Sequence, residues 1–132
     1  MAARAAVHAF VEGLVQMGVA LEAVYAADSV DTPEEECFAV IRWGATTQAF
    51  GNQGTDRVYI WVHDKQKDYG RIALVLAIVK AGLPELVHQP GSDDWVLTQA
   101  DWRGEGPDLM DQGYGTCTRY AEFQVVSRYA TP

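Results

Sequence analysis

His63 and Asp64 are adjacent residues whose types could do chemistry together, because a carboxylate beside an imidazole can fix its tautomer and support proton transfer. Such a pair needs a nucleophile, and no Ser or Cys nucleophile motif accompanies it. A His-Asp pair at the end of a strand serves structure as readily as catalysis. His8 falls on the polar side of a helical pattern and His88 in a turn, so the histidines share no metal-ligand spacing. Glu34–Glu36, Asp93-Asp94 and Asp108 with Asp111 offer carboxylates, but without the glycine and terminal glutamate of a calcium loop they read as solvated loops. The glycine-rich segments Gly44–Gly54 and Gly104–Gly115 contain neither the P-loop lysine nor the dinucleotide fingerprint. Arg42-Trp43 and Trp102-Arg103 interleave cations with aromatics, as an oligonucleotide binder would. No catalytic residue, metal or cofactor is expected.

Charge bounds the partners. Ten Lys+Arg against eighteen Asp+Glu give a net charge of −8, which disfavours nucleic acid and anionic membrane surfaces. With 132 residues, 48% hydrophobic and 21% charged, the chain fits one folded domain spanning 1–132. Cys37 and Cys117 are isolated from each other and from histidine; buried thiols in a reducing compartment are expected, although spacing alone leaves a disulfide open. The longest apolar run, Ile72–Val79, is eight residues, too short to span a bilayer. His8, Glu12 and Gln16 interrupt Met1–Gly18, so no secretion signal is expected there.

Two helices and four strands would position these residues. Val7, Phe10, Val11, Leu14 and Met17 recur at helical spacing opposite Arg4, His8, Glu12 and Gln16, with Gly18 placed to end the helix. Val19–Ala26 is ambiguous between an extended and a helical tail, and Asp28–Glu36 is an acidic loop. Cys37–Trp43 and Val58–His63 read as strands joined by a long loop, Ala45–Asp56. Asp68 caps a second helix carrying Ile72, Val75, Leu76 and Val79, which Gly82 and Pro84 close. After a turn over Leu86–Asp94 come strands Trp95–Trp102 and Thr116–Arg128, separated by the loop Arg103–Gly115. The expected fold is α+β in helix–hairpin–helix–hairpin order, with a four-stranded, mostly antiparallel sheet and both helices on one face.

This arrangement has a covering problem. If Val58, Ile60 and Val62 face the helices, Tyr59 and Trp61 face away, with Phe38 and Val40 from the neighbouring strand. The second helix carries a spare stripe of Leu74, Ile78 and Ala81. Each large side chain left in water forgoes about 1.5–3 kcal/mol of burial, and contiguous apolar patches mark contact surfaces. Either Val19–Ala26 and the loops fold over the second face, or a partner or another copy covers it.

The segments Phe38–Gly44 (FAVIRWG), Tyr59–Ile72 (YIWVHDKQKDYGRI), Ala100–Gly115 (ADWRGEGPDLMDQGYG) and Arg119–Arg128 (RYAEFQVVSR), in this order and spacing, resemble tail terminator proteins of long-tailed siphovirus phages, particularly of the actinobacteriophage type. The resemblance spans roughly Cys37 to Arg128. It implies a structural virion protein without enzymatic activity or cofactor, located in the tail or neck and assembled in the host bacterial cytoplasm. It implies a homo-oligomer, a hexameric ring, that caps the tube of the major tail-tube protein, stops its polymerisation and docks to the head–tail connector proteins. Phe50, Trp102, Leu109 and Tyr114, on the two long loops, are then the expected contacts with tube or connector. Leu74, Ile78, Tyr59 and Trp61 are the expected subunit contacts. A head–tail joining protein of the same phage is the alternative, and a small ligand-binding or enzymatic α+β domain built on the Gly-rich loops and His63 is a third.

Overall fold

The computed structural model describes residues 2–17, 21–27, 29, 33–50, 53–87 and 95–129. In chain order these form α1 (Ala2–Gln16), β1 (Ala23–Ala26), β2 (Cys37–Phe50), β3 (Gln53–Asp64), α2 (Tyr69–Gly82), a 3-10 turn (Leu83–Leu86), β4 (Trp95–Glu105), β5 (Leu109–Asp111) and β6 (Thr116–Tyr129). The sheet has six strands in the order β1-β2-β3-β6-β4, with β5 also paired to β6. The fold is α+β with two helices, but the expected four-stranded sheet and helix–hairpin–helix–hairpin order are corrected.

The corrections share a physical origin. Strand β1 is a four-residue segment whose extended state comes from parallel pairing with the edge of β2, Ala23 opposite Phe38 through Ala26 opposite Ile41. No periodicity can announce so short a strand. Strand β5 forms because β4 leaves β6 at Ala121, so β6 between Thr116 and Thr118 is free to pair with Leu109–Asp111. Most of the expected loop Ala45–Asp56 is a continuation of β2 and β3, with Thr46 opposite Asp56 and Thr47 opposite Thr55. Its glycines and amides suggested a loop, whereas cross-strand pairing imposed a ladder. The hairpins are not side-by-side units either, because β3 pairs with β6 along its length from Gln53–Arg128 to Asp64–Cys117.

One face of this sheet carries the core. Cys37, Ala39 and Ile41 of β2, Val58, Ile60 and Val62 of β3, and Cys117, Ala121, Phe123 and Val125 of β6 pack with Val7, Val11 and Leu14 of α1 and with Ile72, Val75, Leu76 and Val79 of α2. Met17, expected to continue the apolar face of α1, is 74% exposed because the helix has ended at Gln16. Gly18, placed to end that helix, and His88, expected in a turn, lie outside the described residues.

Asp68 caps α2 by accepting a hydrogen bond from the Arg71 backbone N–H at 3.2 Å. Gly82 is the place where the helices meet, since a Cβ there would lie 2.6 Å from Phe10 Cζ. Arg71 then locks helix to sheet: its Nε donates to Asp64 Oδ2 at 2.8 Å and its Nη2 to Oδ1 at 2.5 Å, with Asp64 fully buried at the end of β3. The Gln66 backbone N–H also donates to Asp64 Oδ1, at 2.8 Å. Hydrogen bonding from Arg71 and Gln66 outweighs burial and holds the Asp64 carboxyl below its ordinary range.

Candidate interaction surface

Alternation along β2, β3 and β6 delivers Phe38, Tyr59, Trp61, His63 and Tyr120 to the sheet face opposite the helices. Their rings form a continuous band. Phe38 stacks on His63 with centroids 5.0 Å apart, Trp61 lies 6.5 Å from His63 and 4.6 Å from Tyr120, and Tyr120 meets Tyr59 edge-on at 5.6 Å. Tyr25 of β1 extends the band to Phe38 at 6.1 Å. Its hydroxyl donates to both carboxylate oxygens of Glu35 at 2.5 and 2.6 Å. That hydrogen bond raises the phenol to about 12 and lowers the carboxyl.

The band is covered unequally. At the Phe38–His63 end the turn after β5 folds over the sheet, and Tyr114 meets Phe38 at 5.4 Å and His63 at 5.1 Å, both nearly perpendicular. Phe38 is thereby fully buried and His63 is 3% exposed. The His63 Nδ1 pairs with Thr116 Oγ1 at 2.9 Å, and Thr118 Oγ1 donates to the Val62 carbonyl at 2.9 Å. Burial pulls the imidazole down to about 4, against a smaller upward pull from Asp111. At the other end Tyr59, Trp61 and Tyr120 remain half-buried. Gly106 makes room for the Tyr120 ring: a Cβ there would lie 2.1 Å from Tyr120 Cε1, and its backbone N–H donates to the Tyr120 carbonyl at 2.9 Å.

The helical layer presents a second surface. Leu74 is 54% exposed, and Ala77 and Ala81 are exposed on the same side of α2. Ile78, expected with Leu74 in the spare stripe, packs partly against the core. Lys80 lies over the Trp102 ring, 3.9 Å from its centroid.

Trp102 and Tyr114, both expected to contact tube or connector, are not brought together. Trp102 lies within β4 and on the helix side, 40% exposed. Tyr114 sits on the opposite face as part of its own domain's cover. Leu109 belongs to β5, is 39% exposed, and accepts a hydrogen bond from the Tyr69 hydroxyl at 2.9 Å. The side chain of Phe50 lies outside the described residues. Of the four residues expected at subunit contacts, Tyr59 and Trp61 lie on the outer sheet face and Leu74 and Ile78 on α2. Alternation along Thr116–Arg128 already set Tyr120 opposite Ala121, Phe123 and Val125, as the structure has it. Tyr114 with His63 beneath it, and Gly106, were missed as parts of the outer face; nothing local marks Gly106 as the seat of a distant ring.

His63 and Asp64 cannot act as a dyad. As neighbours on one strand they project to opposite faces, and each is engaged elsewhere, His63 with Thr116 and Asp64 with Arg71. Among the described residues no group of three His, Cys, Asp or Glu converges as a metal site, and no helix is long and apolar enough to cross a membrane. Comparison with family models and with curated proteins finds no match to this chain.

Proposed function

We propose that this protein is a structural subunit of a phage tail terminator ring, in which the outer aromatic face of one copy packs on the α2 surface of the next. The observation that carries the reading is the placement of half-buried Tyr59, Trp61 and Tyr120 on one side of the molecule and exposed Leu74 on the other. Two different apolar patches on opposite sides suit a head-to-tail contact, and a head-to-tail contact whose rotation closes makes a ring. A self-complementary dimer would require only one patch. Aromatic groups also supply most of the energy at well-packed interfaces.

The resemblance over Cys37–Arg128 supplies the setting: a hexamer that sits on the tail tube, ends its growth and receives the connector. The acidic balance of −8 suits a conduit through which nucleic acid passes without being held. In this role the protein acts by shape and adhesion, without catalysis or cofactor. The test is reconstitution with the major tail-tube protein. Tubes grown without this protein are expected to vary in length, and adding it is expected to arrest growth with a ring of density at one end. Unchanged tube lengths and bare ends would overturn the reading.

A further inference from the structure

A titratable ring, His63, lies dry beneath a side chain that no strand holds. Phe38 stacks on the imidazole at 5.0 Å, Trp61 lies 6.5 Å away, Tyr114 meets it edge-on at 5.1 Å, and Nδ1 pairs with Thr116 Oγ1 at 2.9 Å. Phe38, Trp61 and Thr116 stand on strands fixed by the ladder. Tyr114 instead lies in the turn 112–115 between β5 and β6. Gln112, Gly113 and Gly115 of that turn are exposed, and Tyr114 is its half-buried member. Gly115 takes a left-handed φ of +68°, which glycine adopts without strain. The Tyr114 N–H donates to Asp111 Oδ1 at 3.0 Å, a bond internal to the turn. The strand before it, β5, has three residues.

Protonation would give this ring a second N–H and a full charge in a place without water. The faces of Phe38 and Trp61 return only part of that cost. Among the described residues, the titratable groups around this end are Tyr25 with Glu35, Glu36 and Lys65 at the strand ends, and Tyr114 with Asp111 in the turn. Glu35 accepts from the Tyr25 hydroxyl, and the Lys65 ammonium donates to the Pro33 carbonyl at 2.5 Å. Asp64 and Arg71 are paired on the other side of the sheet. Asp111 alone pulls appreciably on His63, and burial outweighs it, leaving the ring near 4 instead of 6.5. Once the ring is charged, that difference favours a hydrated over a covered imidazole by roughly 300-fold.

We propose that Tyr114 and its turn form a proton-operated latch: when His63 becomes charged the turn lifts from the sheet, and Phe38 and His63 join Trp61, Tyr120 and Tyr59 in one uncovered aromatic face. Closed, the latch confines that face to its Tyr59 end. The turn is the element that yields, because β2 and β3 are each paired on both sides whereas the turn rests on the sheet through one ring. A histidine that is neutral when covered and charged when wet is a two-state element of the kind that protons bias. The latch belongs to one molecule and goes beyond the ring reading, so either can fail while the other stands.

The experiment is an NMR titration of the full chain from about pH 7.5 down to about pH 4. The His63 Cε1–H shift reports its protonation, cross-peaks between the Tyr114 and Phe38 rings report closure, and far-ultraviolet circular dichroism reports the fold. The cross-peaks are expected to vanish at the His63 midpoint, between 4 and 6.5, while the dichroism and the α2 amide signals persist. In His63→Phe they should survive the whole range. In Tyr114→Ala, which leaves the imidazole open to water, His63 should titrate close to its ordinary 6.5. Cross-peaks that outlast protonation of His63 would overturn the latch. So would their loss at the same pH in His63→Phe, or a His63 midpoint in Tyr114→Ala equal to that of the native chain. Loss of cross-peaks and dichroism in a single transition would overturn it as well, since the acid response would then be unfolding of the whole chain.

Discussion

At His63 and Asp64, one step along a strand separates two unlike electrostatic solutions. The imidazole is kept neutral by burial under Tyr114, whereas the carboxylate is kept charged by a two-pronged guanidinium. Both titrations act on stability, in different pH windows. His63 titrates near 4 in the fold, against an ordinary value of 6.5. Its contribution is therefore complete above 6.5 and is lost as pH falls toward 4, while the unfolded chain takes up a proton the fold refuses. Asp64, lowered from 3.8, begins to lose its contribution only at and below that pH. Urea unfolding midpoints should thus fall between pH 7 and pH 4.5 in the native sequence, and His63→Phe should remove much of that slope. An unchanged slope would place the pH dependence elsewhere. Removing Arg71 is the harsher change, because Arg71→Gln strands a carboxylate that is 0% exposed. A loss of about 3 kcal/mol in unfolding free energy is expected, at the low end for breaking a buried pair. The sequence suggested the His-Asp adjacency, but strand alternation gives the two residues different neighbours.

Elements of ordinary length with clear periodicity were legible in the chain. The second helix was readable from Asp68 as cap and from Ile72, Val75, Leu76 and Val79, all fully buried. Strands Cys37–Trp43 and Val58–His63 were readable as cores of β2 and β3, but their extensions were not, because Thr46, Thr47 and Thr55 gain their extended state from one another across the ladder. Edge strands β1 and β5 are short pieces that exist by pairing with a longer neighbour. Close approaches are equally invisible to local reading. Gly82 was expected to close the helix, and its backbone there is ordinary right-handed helix at φ −91°. Its lack of a side chain serves the Phe10 ring of α1 instead. Gly82→Ala should therefore lower stability by about 1–3 kcal/mol through overpacking, despite the better helix propensity of alanine. Phe10→Leu in the same background should recover part of it, measured by thermal melting. If Gly82→Ala alone raises the melting temperature, the helices do not depend on that contact.

For the whole molecule, the mismatch between apolar surface and available cover was visible from alternation in Tyr59-Ile60-Trp61-Val62, but its resolution was not. The loop side chain Tyr114 closes one end of the outer face, the Val19–Ala26 tail contributes the edge strand β1, and Tyr59, Trp61 and Tyr120 stay half-covered. A head-to-tail ring makes an unusual prediction about mixtures. Trp61→Glu spoils one patch and Leu74→Glu the opposite one, so neither variant alone should cap tubes. Mixed together they retain one intact contact per pair, and light scattering should find two-subunit complexes that never close. Restored rings in the mixture, or capping by either variant alone, would contradict a two-patch contact. Cys37 and Cys117 carry a last consequence. Both are free and fully buried, and both stand beside Asp64, one on each flanking strand. Two strand spacings, about 9.5 Å, hold their backbones beyond the reach of an S–S bond. Burial also pushes Cys37 up to about 11, leaving almost no thiolate at neutral pH. A thiol reagent in solution therefore has nothing to attack until the β layer parts, and the rate at which it is consumed becomes a clock for how often a single molecule comes open.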